Sequence, residues 1–419
     1  MGTSNATATA NWSAISMTVN YNVNGGNTVN PTSKSVTYDE NYGDLPTPTR
    51  SNYAFAGWYT ASSGGTKVTS TTKVTQTANH SIYAHWNEVV PITTKILADN
   101  NERAESGISF NTVSSSSGTT GLYYTSGSSI TQGGSTVYYY RGAVTNNYLV
   151  FAGFCWRIVR TNENGSVKIR YGGVPNAQGE CPQTGTPVNI GSTRASTYYG
   201  GSAVGYMQNR TCTSISTCQT NTTNSLTKDI IDTWYANNIA NQGSSVTGLI
   251  ANTIYCNDRA VYSGSGTGSN TTWFAAPARF VSTSTTNELS SPRPIFKCNQ
   301  TNDQFTLSVA NGGTSGYGNN KLDYPIGLLT ADEVTFAGGA TSTSQTNSTF
   351  YLYTSEDYWL MTAFRLNYAD GSLYNLYANG NLWLKLTDQT SAVVPVISLA
   401  STATISDGTG SYNSPYIVP

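Results

Sequence analysis

The sequence predicts a mainly β, α+β protein: a small β module followed by a large strand-rich domain with two helices. Three observations predict it. Only 10% of residues are charged, while Ser, Thr, Asn, Gly and 29 tyrosines supply the polarity, and ordinary soluble domains carry roughly a quarter charged residues. Short runs of β-branched and aromatic residues recur between Gly, Asn and Pro turns. The stretch Tyr138–Arg160, YYYRGAVTNNYLVFAGFCWRIVR, is the longest run dense in such residues, so other segments must cover it. Asn164-Gly165 follows it, ahead of Val167-Lys-Ile-Arg-Tyr171. Asn-Gly between β-rich runs predicts a central hairpin of Phe151–Arg160 and Ser166–Tyr171, because both central residues of the favoured turn need positive φ.

Composition narrows the function classes. A net charge of −1 without a basic cluster argues against nucleic acid and against an anionic membrane surface. No apolar run approaches the roughly 18 residues of a membrane span. No signal peptide is visible, and Met1-Gly2-Thr3-Ser4 reads as an artificial or processed end of a fragment. The six cysteines, Cys155, Cys181, Cys212, Cys218, Cys256 and Cys298, share one region, which predicts disulfides and an oxidising, extracellular compartment. The expected pairs are Cys212–Cys218, a short loop, Cys256–Cys298 and Cys155–Cys181. Buried free thiols are the alternative. Zinc is disfavoured, since no Cys-x-x-Cys exists and both histidines lie elsewhere.

From Met17 to Trp86 short strands alternate with turns: Met17–Val23, Ser35–Tyr38, Phe55–Tyr59, Lys73–Thr75 and Ile82–Trp86. The landmarks NVNGG, LPTPTR, YAFAGWYT, GGTKVT and HSIYAHW, in that order, resemble the Listeria–Bacteroides repeat, also called the internalin-type B repeat, over 17–87. The resemblance implies a β-grasp-like module, strung in series as a stalk on bacterial surface proteins. Asn5–Trp12 echoes Asn79–Trp86 in its Asn, Ala and Trp positions, so 1–13 is expected to be the last strand of a preceding repeat. His80 and His85, five residues apart on one strand, point to opposite faces and are expected to pack rather than to ligate.

Residues 88–94 are expected to be a linker, and 95–419 one large domain. Lys95–Arg103 suits a brief helix, and Thr112–Gly134 reads as loops around a strand at Leu122-Tyr-Tyr124. The best helix begins at Asn224, with Leu226, Ile230, Ile231, Trp234 and Ile239 on one face and Ser225 or Thr227 as cap. Thr330-Ala-Asp-Glu333 is a capping-box pattern opening a second, short helix. Strands are expected at Phe350–Tyr353, Tyr358–Met361, Leu373–Tyr377, Leu382–Leu386 and Val393–Leu399.

The hairpin stretch, with IYCNDRA, YPIGLLTADEVTFAGG, FYLYTSEDYWLMTAF and AVVPVISL, resembles an uncharacterised module of Firmicute surface and pilin-like proteins over 94–419. That resemblance implies a relative of the C-type-lectin-like fold and no settled activity. The large domain holds no histidine, no Gly-x-Ser-x-Gly, no phosphate loop and no His-Glu-x-x-His, which removes His-based hydrolytic chemistry. Glu356-Asp357 reads as a solvated turn, and Asp332-Glu333 as a helix start complementing the dipole. Cys155, inside an apolar strand, suits no nucleophile. Asp370, Asn375, Asn379 and Asn381 read as turn residues before calcium ligands, and no cofactor or metal is expected.

The expected recognition surface is Tyr358, Trp359, Arg365, Tyr368, Asp370, Tyr374, Tyr377 and Trp383, because Tyr, Trp and Arg give large contact area with polar tips. On a lectin-like fold this segment would supply exposed binding loops. The expected function is a non-catalytic bacterial cell-surface adhesin, a repeat stalk presenting a head that binds a glycan or protein of a host or neighbouring cell. The alternatives are a structural subunit of an extracellular fibre or pilus, built from copies of itself, and an extracellular glycoside hydrolase.

Overall fold

A computed structural model of the chain describes residues 13–112, 114, 120–196, 204–209, 217, 219–262, 271–280, 292–341, 348–367 and 371–419. The strand expected at 1–13 falls almost wholly outside them. The chain is mainly β and packs as two units that divide between Val90 and Pro91.

In the first unit, β1 (Ser16–Asn22), β2 (Ser33–Thr37), β3 (Tyr53–Tyr59), β4 (Lys67–Val68) and β5 (His80–Glu88) form one sheet in the order β2-β1-β5-β3-β4. The β1–β5 pairing is parallel and the others are antiparallel. Alternation buries Met17, Val19 and Tyr21 on β1 and Ile82 and Ala84 on β5, against Val36, Trp58, Val68 and Val74. The landmark residues have local reasons. Gly25 sits at φ 90°, and a Cβ on Gly26 would run into the Trp86 ring. The Trp58 indole donates to the Pro46 carbonyl at 2.7 Å. The strand expected at Lys73–Thr75 is a single bridge from Lys73 to Asn41, and β4 pairs in its place. His85 stacks on Tyr59 at 4.0 Å, and His80 meets the Tyr42 hydroxyl at 2.7 Å, so both pack within the sheet.

The second unit contains α1 (Ile92–Ala98), β6 (Gly121–Thr125), β7 (Val137–Arg141), β8 (Tyr148–Phe151), β9 (Phe154–Thr161), β10 (Val167–Tyr171), α2 (Leu226–Asn238), α3 (Ala275–Phe280), α4 (Ala331–Phe336), β11 (Tyr358–Asn367), β12 (Gly371–Leu376), β13 (Leu382–Leu386) and β14 (Val396–Leu399). One sheet runs β14-β10-β9-β7-β6 and ends on Arg103–Ala104, with β8 folded against β9. A second sheet centres on β11-β12-β13.

The expected hairpin is there as β9 and β10, with two differences. Ala152 (φ 52°) and Gly153 (φ 80°) form a tight turn that separates β8 from β9, so Phe151 ends one strand instead of opening the next. At the other end, Gly165 alone is left-handed, at φ 79°. Asn162 N–H donates to the Ser166 carbonyl and Gly165 N–H to the Asn162 carbonyl, which makes a wider, bulged turn. Phe350–Tyr353 is no strand. Phe350, Tyr351 and Leu352 are buried in a turn, and a short apolar run by itself does not distinguish the two.

The helix α2 is capped by Ser225, whose side chain accepts from the Lys228 N–H. Its buried face is Thr227, Lys228, Ile231 and Tyr235, while Ile230 and Trp234 are half-buried. Lys228 turns inward because Asp232 and Asp323 meet its ammonium. The helix expected at Lys95–Arg103 begins earlier, directly after Pro91. Two expected disulfides are formed, Cys155–Cys181 and Cys256–Cys298. Cys212–Cys218 lies outside the described residues.

Candidate ligand-binding cavity

The aromatic segment named from the sequence does not make one surface. Tyr358, Trp359 and Tyr374 are at most 1% exposed and belong to the core. The Trp359 indole donates to the Thr193 carbonyl at 2.8 Å, and the Tyr358 hydroxyl to the Leu352 carbonyl at 3.1 Å. Trp383 is half-buried against Phe364, and the Tyr377 hydroxyl donates to the Leu384 carbonyl. Arg365 lies half-buried near the Trp273 ring. Tyr368 and Asp370 lie outside the described residues. Alternation sends Tyr358 and Trp359 to opposite faces, and both rings are inside because both faces of β11 and β12 are covered. Glu356 and Asp357 are bonded rather than free: Asn189 donates to Glu356, and Lys385 and the Ala378 N–H donate to Asp357.

The β9–β10 hairpin instead carries buried charge. Arg157 faces Arg170 across the strands, and Arg160 faces Lys168. A bulge between Ile158 and Arg160 turns Arg160 to the side of Arg157, so all four cations share one face. Trp156, Ile158, Ile169 and Tyr171 take the other, apolar face. Each of the four cations is at most 5% exposed.

The helix α4 answers the second pair. Its capping box is complete: Thr330 accepts from the Glu333 N–H, and the Glu333 carboxylate accepts from the Thr330 N–H. The other Glu333 oxygen accepts from Arg160 at 2.8 Å and Lys168 at 2.6 Å. Burial by itself would raise the Glu333 carboxyl; the Lys168 ammonium and Arg160 guanidinium override it and hold it at about 2. Lys168 must share that one carboxylate, so burial leaves it below its ordinary value. Arg141 completes the helix by donating to the Thr335 and Phe336 carbonyls at its other end.

Beside this triad lies a cavity of about 140 Å³, lined by Arg160, Lys168, Asp258, Phe296, Asp332 and Glu333, with Gln132, Asn162, Thr253 and Tyr317 among its polar groups. Arg279 bridges two of the acids. It donates to Asp332 at 3.0 and 2.7 Å and also to Asp258. Asp332 further accepts from the Ile295 N–H at 2.8 Å, yet burial still raises its carboxyl. Asp258, Asp332 and Glu333 thus meet Arg160, Lys168 and Arg279, and Glu163, which also lines the cavity, lies 3.8 Å from Arg160. Among the described residues Asp258 Oδ1 is buried with no hydrogen-bond partner. Glu333 is locked as an anion and Asp332 is fully engaged, so the cavity can accept a hydrogen bond from an entering donor through Asp258. Cys256 lines the same cavity, and its disulfide to Cys298 ties the wall that carries Phe296.

Asp332-Glu333 is therefore more than a helix start complementing a dipole; both residues are at most 2% exposed and hold cations. Asp258 carried no signal of its own inside IYCNDRA. The legible signal was the alternation of Arg and Lys inside the most apolar strands of a chain with few charges.

Residues 18–85 match the family model of the Listeria-Bacteroides repeat domain. No curated protein matches the chain. Repeats of this family are typical of bacterial surface and extracellular proteins, and the two disulfides agree with that setting. Among the described residues no helix is long and apolar enough to cross a membrane.

Proposed function

We propose that this chain is a non-catalytic bacterial cell-surface adhesin, in which the repeat belongs to a stalk and the 91–418 unit is a ligand-binding head. The observation that carries the reading is the pairing of a stalk-type repeat with a separately packed, disulfide-tied unit whose cavity neutralises its charges internally. Glu333 cannot serve as a general acid while two cations hold it at about 2. The free Asp258 oxygen, the amides of Gln132 and Asn162, and the Phe296 ring suit a hydroxyl- or amine-bearing group. A glycan or protein of a neighbouring or host cell carries such groups.

The test is binding of the labelled full chain to immobilised glycans and extracellular proteins. Saturable binding that weakens about tenfold or more in Asp258→Asn supports the reading, since it removes a charged acceptor. Absence of saturable binding, with filaments growing as concentration rises, points to a fibre subunit. Turnover of a glycoside that vanishes in Asp258→Asn overturns the non-catalytic assignment.

A further inference from the structure

The other cation pair on the hairpin has no acid. Arg157 and Arg170 are 3% and 2% exposed, directly opposite each other across β9 and β10. Like charges in that register repel, and burial removes the water that would screen them. Among the described residues no carboxylate forms an ion pair with either. Arg157 donates to neutral acceptors: Asn147 Oδ1 at 2.9 Å, Thr184 Oγ1 at 3.0 Å and the Val144 carbonyl at 2.9 Å. Its guanidinium lies 3.7 Å from the Tyr148 ring centre, and that of Arg170 lies 5.4 Å from the Tyr358 ring centre. Ring faces offset part of a buried cation's charge and leave the rest. Burial pushes Arg157 down to about 10 and lowers Arg170 as well.

Among the described residues three donor atoms in this region have no hydrogen-bond acceptor. Arg170 Nε and Nη2 and the Tyr351 hydroxyl oxygen are all buried without a hydrogen-bond partner. Arg157, Arg170 and Tyr351 line one small pocket, with Thr184 and Thr186 on the loop that follows Cys181. Unsatisfied donors beside uncompensated positive charge define what is missing: an acceptor that carries a negative charge. The pocket leaves about 10 Å³ of space for the centre of a water-sized sphere, room for one small solute.

We propose that Arg157, Arg170 and Tyr351 form a binding site for a single monoatomic anion, chloride in an extracellular setting, which neutralises the arginine pair and completes the fold beneath the Cys155–Cys181 loop. A water molecule would satisfy the donors and leave the charge.

The test uses the full chain with its disulfides intact. Melting temperature is followed as chloride replaces gluconate at constant pH and ionic strength. A saturable rise of roughly 5 °C is expected at chloride a hundredfold above its dissociation constant. Bromide should give the same rise, and crystals of the unmutated protein grown in bromide should show an anomalous peak within hydrogen-bond distance of Arg170 Nε and Tyr351 Oη. Arg170→Met should melt without chloride dependence. Equal melting temperatures in chloride and gluconate overturn the proposal, and so does a pocket without anomalous signal at saturating bromide.

Discussion

Two cation pairs stand side by side on one face of one hairpin, and the fold treats them differently. Arg160 and Lys168 receive a carboxylate from α4, while Arg157 receives amide, hydroxyl and carbonyl oxygens and both Arg157 and Arg170 lie near aromatic rings. Each pair lies near its own disulfide. Cys155 precedes Arg157 by two residues, and Cys181 opens the loop that brings Thr184 to it. Cys256 lines the cavity beside the Glu333 triad. The difference teaches that burying a cation has two remedies, an internal counter-ion or neutral dipoles with a site for an external one. The first makes a pH-dependent element and the second a salt-dependent one.

The comparison breaks most sharply at Glu333. Glu333→Gln keeps the capping box, since Gln serves at that position, and removes only the charge. Lys168 then loses its carboxylate and Arg160 keeps only Glu163, at 3.8 Å, and the expected destabilisation is about 3–5 kcal/mol. Urea unfolding followed by near-ultraviolet circular dichroism measures it. A loss below about 1 kcal/mol would mean that the two pairs are equivalent and that the carboxylate is dispensable.

Opening the disulfides separates the two sites. The bridges span 26 and 42 residues, and removing each is expected to cost about 3.5–4 kcal/mol from loop entropy. Cys155→Ser with Cys181→Ser should also abolish the chloride increment and spare ligand binding at the cavity. Cys256→Ser with Cys298→Ser should do the reverse. Melting curves with and without chloride, alongside the binding assay, distinguish them; identical consequences for both sites would show one cooperative region.

Acid gives a further contrast. Glu333 titrates at about 2 in the folded chain against 4.5 ordinarily, so the stability it contributes is complete above about pH 4.5 and lost as pH falls towards 2. The amount is on the order of 3 kcal/mol. Asp332, raised by burial, acts in the opposite sense over acid pH, so the clean measurement is the difference between wild type and Glu333→Gln. That difference should shrink across the window. A constant difference from pH 7 to 2.5 would show that the ion pair is not what Glu333 contributes.

Much of the architecture was readable from the chain. Alternation of apolar residues defined β1 and β5, Ser225 and the Thr330–Glu333 box marked two helix starts, and the confinement of cysteines to one region suggested the two observed bridges. The recognition surface was read wrongly at Tyr358, Trp359 and Tyr374. Aromatic residues serve core and surface alike, and only the covering of both strand faces separates the two. The extent of β9 was misjudged at Phe151 because Ala152-Gly153 is an unusual pair for a tight turn.

The sequence by itself determined the β-rich class, the repeat at the start, and the four cations set into apolar strands, because strand period and turn chemistry are local properties. The tertiary structure decided which of those cations meets an acid. Glu333 lies 165 residues from Lys168, and whether a charge finds a partner across such a distance depends on which helix the completed core presses against the hairpin.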